Sequence, residues 1–222
     1  MIVSLSKIKS YYHFDVRTII IMNKIKDGKI DLIVKEAVPL FLEKSISDIS
    51  MNEIAKFVGV GEATLYRYFQ KKQNLVIQIS AKLADEVFNH YFSLEQKLSG
   101  YEQISDFFKA YGKVFKEHPE YFKFINELDA YILNENVQEK KEYEDMVVRF
   151  KNIFDRAYEK GLADGSVKKI KNCNTFYYAS AHSLLNLCKF LASSDVLNED
   201  SLQDKNGEIQ IMTKIILNYV KD

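Results

Sequence analysis

The chain has 222 residues, with 31 Lys+Arg against 31 Asp+Glu, only 2 Pro and 8 Gly, and 14 Tyr and 15 Phe without a single Trp. A charge this balanced argues against a protein that coats nucleic acid indiscriminately, and so few helix breakers suit a mostly helical chain forming one large domain, or a small domain on a bigger one. The balance is uneven along the chain: residues 1–80 hold 12 Lys+Arg and 8 Asp+Glu, and residues 81–222 hold 19 and 23. That is the sign expected of a nucleic-acid-facing N-terminal part on an acidic body. No apolar run reaches membrane-spanning length, and Asp15 and Arg17 just before Thr18–Met22 read against a signal peptide. The expected compartment is the cytoplasm, with no membrane partner.

Residues 1–21 carry no defensible helical period. They read as an extension ahead of a natural start at Met22, or as a basic arm whose Lys7, Lys9 and Arg17 touch a minor groove; the first reading is preferred. A first helix is predicted from about Asp27 to Lys44. Ile30, Ile33, Ala37, Leu40 and Phe41 fall on one face, and Pro39 inside the run removes a hydrogen bond. Ser45 to Ile49 connects it to the next element. Ser50 and Glu53 then form the S-x-x-E pattern of a capping box, so a helix should begin at Met51. Ala55 is small enough for close helix approach, Gly59 can supply a left-handed turn, and a short helix should follow from about Glu62 to Phe69. Two helices separated this way form a helix-turn-helix, the second short enough to lie in a major groove. A helical hairpin of an ordinary core has the same apolar pattern. The polar face decides between them: Thr64, Tyr66, Arg67 and Tyr68 crowd one short helix with hydrogen-bonding groups that a core would leave unpaired.

A fourth helix is predicted from about Gln73 to Leu98, with Leu75, Ile79, Leu83, Val87 and Tyr91 in one stripe. Ser99-Gly100 reads as a break. Further helices are predicted over Tyr101–Glu117, from Pro119 at a first turn, over Asn136–Lys160, over Asn174–Ala192 and over Asn206–Val220, with a stop at Gly161–Gly165. Cys173 and Cys188 stand fifteen residues apart on one predicted helix, about 22 Å at 1.5 Å per residue, too far for an internal disulfide. Two buried thiols are the expected account, and a redox sensor the lesser one.

The run Ala63-Thr64-Leu65-Tyr66-Arg67-Tyr68-Phe69, followed by Lys71-Lys72-Gln73-Asn74-Leu75, resembles the TetR/AcrR family of bacterial transcriptional regulators over about Lys29 to Leu75. Two positions depart from the family pattern. Gly61 stands where Ser or Thr often caps the recognition helix, and Gln73 and Asn74 replace an acidic pair. The resemblance implies an all-α fold of about nine helices. Residues 22–72 would form the helix-turn-helix DNA-binding domain, 73–98 the connecting helix, and 99–222 a ligand-binding and dimerisation domain. It further implies a homodimer on a palindromic double-stranded DNA operator, most often a repressor, released by a small apolar or aromatic effector, without a cofactor. Thr64, Tyr66 and Tyr68 match positions that in the family contact phosphates and bases, while Glu62 and Ala63 occupy variable positions that tune sequence preference. Arg67 is the candidate for base readout, because its fork can pair with guanine O6 and N7. Lys72 is expected to hold a phosphate.

The aromatic residues of the second half read either as packed core or as the wall of a cavity with phenolic handles. The candidates are Phe107, Tyr111, Tyr121, Phe124, Tyr131, Phe150, Phe154 and Tyr178. Glu127 or Asp129 could add a carboxylate for a cationic ligand, although an exposed helix position is the commoner meaning. On the last two helices Phe176, Ser180, Ser183 and Leu187, and Ile209, Met212, Ile216 and Tyr219, form apolar stripes. They suit a four-helix bundle between two chains, or the core of a single chain. His13, His90, His118 and His182 show no i, i+4 pairing, neither cysteine lies in a CxxC, and no GxGxxG, P-loop or GxSxG is present, so neither metal binding nor catalysis is expected. The alternative to a ligand-released regulator is a ligand-free DNA-bound scaffold that recruits a protein through its acidic body.

Overall fold

The computed structural model describes residues 16–193 and 204–221, and everything stated below concerns those residues. They form nine helices: α1 (Val16–Glu43), α2 (Met51–Val58), α3 (Glu62–Phe69), α4 (Lys72–Tyr91), α5 (Gly100–Glu117), α6 (Pro119–Asn134), α7 (Lys141–Asp164), α8 (Cys173–Ser193) and α9 (Lys205–Val220). There is no strand among them; an isolated antiparallel bridge joins Val167 to Lys221. The all-α expectation holds.

At the N-terminal end, Ala37, Leu40 and Phe41 of α1 are buried together with Ile54 and Ala55 of α2, Leu65 and Phe69 of α3, and Leu75 and Ile79 of α4. This is the face the apolar spacing marks. The first helix differs from its expected bounds: α1 starts at Val16, eleven positions before Asp27, and Pro39 lies within it. No Gly or Pro separates Val16 from Asp27, so nothing in the backbone stops the helix there. Residues 16–21, expected to carry no helical period, are thus helical, and residues 1–15 lie outside the described residues.

The second half is built around α5, which packs against α4, α6, α7, α8 and α9. Its start is fixed by a capping box that the break signal at Ser99-Gly100 concealed. The Ser99 hydroxyl accepts from the Glu102 N–H, and the Glu102 carboxylate accepts from the Ser99 N–H at 2.8 Å. Helix α4 ends at Tyr91, seven residues short of the expected Leu98. Phe92 leaves the helix to bury its ring among Phe107, Tyr111 and Phe150, and the Gln103 amide donates to the Glu95 and Leu98 carbonyls, holding the linker that follows. Helix α7 starts later and runs further than predicted. Gly161 does not end it; Gly165, in the left-handed conformation at φ 72°, does. The Gly161 position serves packing instead. A Cβ added to Gly100 would lie 2.0 Å from the Gly161 amide nitrogen, so α5 and α7 touch backbone to backbone.

Candidate DNA interface and ligand cavity

The turn between α2 and α3 follows from its capping residues. Ser50 accepts from the Glu53 N–H at 3.1 Å, but the reciprocal half of the expected capping box is not made, because the Glu53 carboxylate turns to Lys44. That cation holds the exposed Glu53 carboxyl below its usual range. Gly59 takes the left-handed conformation at φ 76°, and the Val60 N–H reaches back to the Ala55 carbonyl at 2.9 Å. This is the 6→1 bond of a glycine-terminated helix. Gly61 begins α3 without a side-chain cap, and Glu62 accepts from Asn52 at 2.9 Å across the turn. Leu65 and Phe69 are fully buried and fix α3 to its neighbours.

That anchoring turns the other side of α3 outward. Ala63, Tyr66 and Arg67 are exposed, and Glu62, Thr64 and Tyr68 are half-buried. The Arg67 guanidinium lies 4.9 Å from the Tyr68 ring centroid and donates to its hydroxyl at 3.4 Å, so two neighbouring side chains of the predicted set already brace each other. Lys72 departs from the set. Its ammonium donates to the Ile46 carbonyl, and to Ser47 O at 3.5 Å, and it lies 5.6 Å from the Tyr131 ring centroid. Removal from water is the chief cause that lowers its pKa. It faces the junction of α6 with the α1–α2 loop, a place poorly suited to the phosphate contact expected of it. Lys56 and Lys71 are exposed beside the α2–α3 pair and make no ion pair among the described residues. No role was expected of either. In Lys71-Lys72 the motif offers two cations, and only the direction of the backbone decides which one faces out.

The same junction explains Glu127. Its carboxylate accepts from the Ile46 N–H at 3.0 Å, across 81 residues of sequence, while Lys72 grips the carbonyl of the same residue. The Gln73 amide donates to the Glu135 carbonyl at 3.3 Å close by. Asp129 pairs with Lys189 of α8. Neither acid lines the cavity of the second half; Asp129 is exposed, as the commoner reading had it, and Glu127 is half-buried against the α1–α2 loop.

A cavity of about 120 Å³ does lie in the second half, walled by α4 to α8. Of the predicted wall, Tyr111, Tyr121, Phe150 and Tyr178 line it. Phe107, Phe124 and Phe154 are packed in the core, and Tyr131 stands at the Lys72 junction, where burial pushes its phenol up to about 12. Phe92, Tyr143, Tyr177 and His182 line the cavity and were not foreseen. Phe92 was expected inside a helix, and Tyr143 and Tyr177 sit at positions that only the tertiary arrangement turns inward. Cys188 is buried and its thiol is pushed up to about 12 by that burial. Cys173 is half-buried and its pKa is raised for the same reason, so neither has the activated thiolate of a redox sensor.

The two stripes expected at a dimer surface are divided by the packing of α8 against α5, α6 and α9, and of α9 against α5 and α8. Ser180, Ile209 and Ile216 are buried within the single chain, Phe176, Leu187 and Met212 are half-buried, and Ser183 and Tyr219 are exposed. Ser180, Ile209 and Ile216 thus belong to the intramolecular core. The apolar groups left outward are Phe190 of α8 and Ile211 and Ile215 of α9, each more than half exposed. Tyr219 stacks on Phe176 with centroids 5.2 Å apart.

Residues 33–79 match the family model described as "Bacterial regulatory proteins, tetR family". An HTH-type transcriptional regulator of Staphylococcus aureus (strain USA300) is 38% identical over 64 residues, which are 28% of this chain and 35% of that protein. The chain thus spans about a third of the length of the curated relatives it matches. A solved TetR-family transcriptional regulator from Agrobacterium tumefaciens has a TM-score of 0.62 at 17% identity, covering 89% of this chain and 100% of that one. The TetR-family regulator PfmR from Thermus thermophilus has a TM-score of 0.58 at 16% identity, covering 86% and 99%. At such identities the structural likeness shows the fold. Together the matches show that the chain resembles the tetR family both in its helix-turn-helix segment and in its nine-helix architecture.

Proposed function

We propose that this chain is a tetR-family transcriptional regulator that binds a two-fold operator as a homodimer, usually to repress, and lets go when a small apolar or aromatic molecule fills its cavity. The observation that carries the reading is the outward side of α3: Ala63, Tyr66 and Arg67 exposed, flanked by Thr64 and Tyr68, on a helix pinned from behind by Leu65 and Phe69. A short rigid helix presenting a guanidinium and hydroxyls is what major-groove readout requires. Lys56 and Lys71 take the phosphate-holding role in place of Lys72.

Dimerisation follows from the apolar groups that α8 and α9 leave in water. Pairing across a two-fold axis would cover Phe190, Ile211 and Ile215, with Ser183 and Leu187 on the same side of α8, and each buried side chain of this size is worth roughly 1.5–3 kcal/mol. The cavity supports the effector part of the reading over a ligand-free scaffold, which has no use for an apolar chamber with phenolic walls.

The test is selection of binding sequences from random duplex DNA by the full chain, followed by footprinting. The reading requires a palindromic consensus whose half-sites are about one helical turn apart. Recovery of unrelated sequences with no two-fold consensus would overturn it.

A further inference from the structure

The cavity has an unusual electrical make-up. No Asp, Glu, Lys or Arg lines it, while Tyr111 of α5, Tyr121 of α6, Tyr143 of α7 and Tyr177 of α8 do. Tyr111, Tyr121 and Tyr177 are each more than nine-tenths buried. Among the described residues none of these four hydroxyls has a hydrogen-bond partner in the protein. Burial raises the pKa of all four, and the groups also act on one another: Tyr177 and Tyr121 add to the rise of Tyr111, and Tyr143 to that of Tyr121. All four line the one cavity, stay protonated at neutral pH and are able to donate. A buried hydroxyl without a partner keeps its desolvation cost, and here several such groups come to one chamber from four helices.

The surroundings exclude a charged guest. The acids nearest the phenols are already matched: Asp129, beside Tyr143, pairs with Lys189, and Asp155, beside Tyr177, pairs with Lys151. A cation in the cavity would have no free counter-ion; an anion would meet in the wall only His182, which is exposed, and Lys151, 5.1 Å from the Tyr177 ring centroid, is already held by Asp155. Burying an unpaired charge costs far more than burying a dipole. Size sets the other limit, since about 120 Å³ is close to the ~150 Å³ apolar cavity that holds a benzene ring.

We propose that the cavity recognises an uncharged, single-ring molecule carrying carbonyl-type acceptor oxygens, to which Tyr111, Tyr121 and Tyr177 donate. This rests on the reading of the cavity as the effector site but goes further, naming the chemistry that the site accepts. A site built of donors rejects an analogue that lacks the acceptor, because its hydroxyls then stay unpaired. The rings of Phe92 and Phe150, also in the wall, supply edge and face contacts to the guest's ring.

The experiment is calorimetric titration of the full chain, without DNA, by four probes of similar size: acetophenone, ethylbenzene, benzoate and phenyltrimethylammonium. Acetophenone should bind at least tenfold more tightly than ethylbenzene. Tyr111→Phe and Tyr121→Phe, which keep the rings and remove the hydroxyls, should abolish that preference without weakening ethylbenzene binding or lowering the melting temperature. Equal affinity for acetophenone and ethylbenzene, preference for either ion, or failure of all four to bind overturns the proposal. A parallel operator-release assay separates it from the broader reading. If acetophenone binds through the phenols but leaves the DNA complex intact, the ligand class stands and the effector role falls.

Discussion

Replacing Glu127 with Ala removes the only side chain that α6 extends to the backbone of the α1–α2 loop at Ile46, and its cost can be worked from the geometry. Ile46 is 1% exposed, so its N–H cannot turn to water once the carboxylate, now at 3.0 Å, is gone. A hydrogen bond to a charged group contributes about 1.5–3 kcal/mol, and the orphaned donor keeps its desolvation cost. For a chain of this size that corresponds to a fall in melting temperature of roughly 3–12 °C. Glu127→Gln keeps an acceptor oxygen and should lose less than half as much. Lys72→Met removes the grip on the Ile46 carbonyl, and because both side chains hold one residue's backbone, the double variant should cost less than the two single losses combined. Urea unfolding followed by far-ultraviolet circular dichroism measures all four proteins, with Glu139→Ala, an exposed position, as a control expected within about 0.5 kcal/mol of the unsubstituted chain. A Glu127→Ala loss no larger than the control, or strict additivity with Lys72→Met, would refute the reasoning that α6 holds the α1–α2 loop through this residue.

On the DNA side, Arg67→Ala should weaken binding to the selected operator by about 1–3 kcal/mol while sparing random DNA; Lys71→Ala should weaken both and reduce the salt slope by about one, and Lys72→Ala should leave that slope unchanged. Gel-shift titrations over a salt series read all three. Gly100→Ala places a methyl group 2.0 Å from backbone at Gly161, where no side chain can yield, so it should cost at least the roughly 1–3 kcal/mol of ordinary overpacking, seen as a lower urea midpoint. Ile215→Glu puts a charge on the exposed apolar side of α9 and should yield folded monomers in sedimentation, with operator affinity lost; a stable dimer at micromolar concentration would place the interface elsewhere.

How much of this was legible in the sequence depended on the range of the interactions involved. Local signals carried well: Ser50, Ala55 and Gly59 define the α2–α3 pair, because caps and glycine turns act within a few residues. Signals with two meanings did not. Gly161 looks like a stop and is a packing contact, since only the approach of Gly100 from sixty residues away decides its use. Lys72 looks like a phosphate ligand and points to Ile46 for the same reason, and the outward residue is its neighbour Lys71. Of the aromatic residues, spacing marks an inward face but cannot say whether a ring fills the core, as Phe107 and Phe154 do, or borders a cavity, as Tyr111 and Tyr177 do. The stripes of α8 and α9 were read one helix at a time, and packing of α9 on α5 as well as on α8 consumed the Ile209–Ile216 face and left Ile211 and Ile215 outward.

The central claim is sequence-specific DNA recognition by α3, and the most direct measurement is the ratio of affinities for the selected palindromic duplex and for a scrambled duplex of the same composition, at physiological salt. Recognition by α3 predicts a ratio of about 10³ or more, falling by roughly 5- to 150-fold for Arg67→Ala. A ratio near one, unchanged by Arg67→Ala, would contradict it.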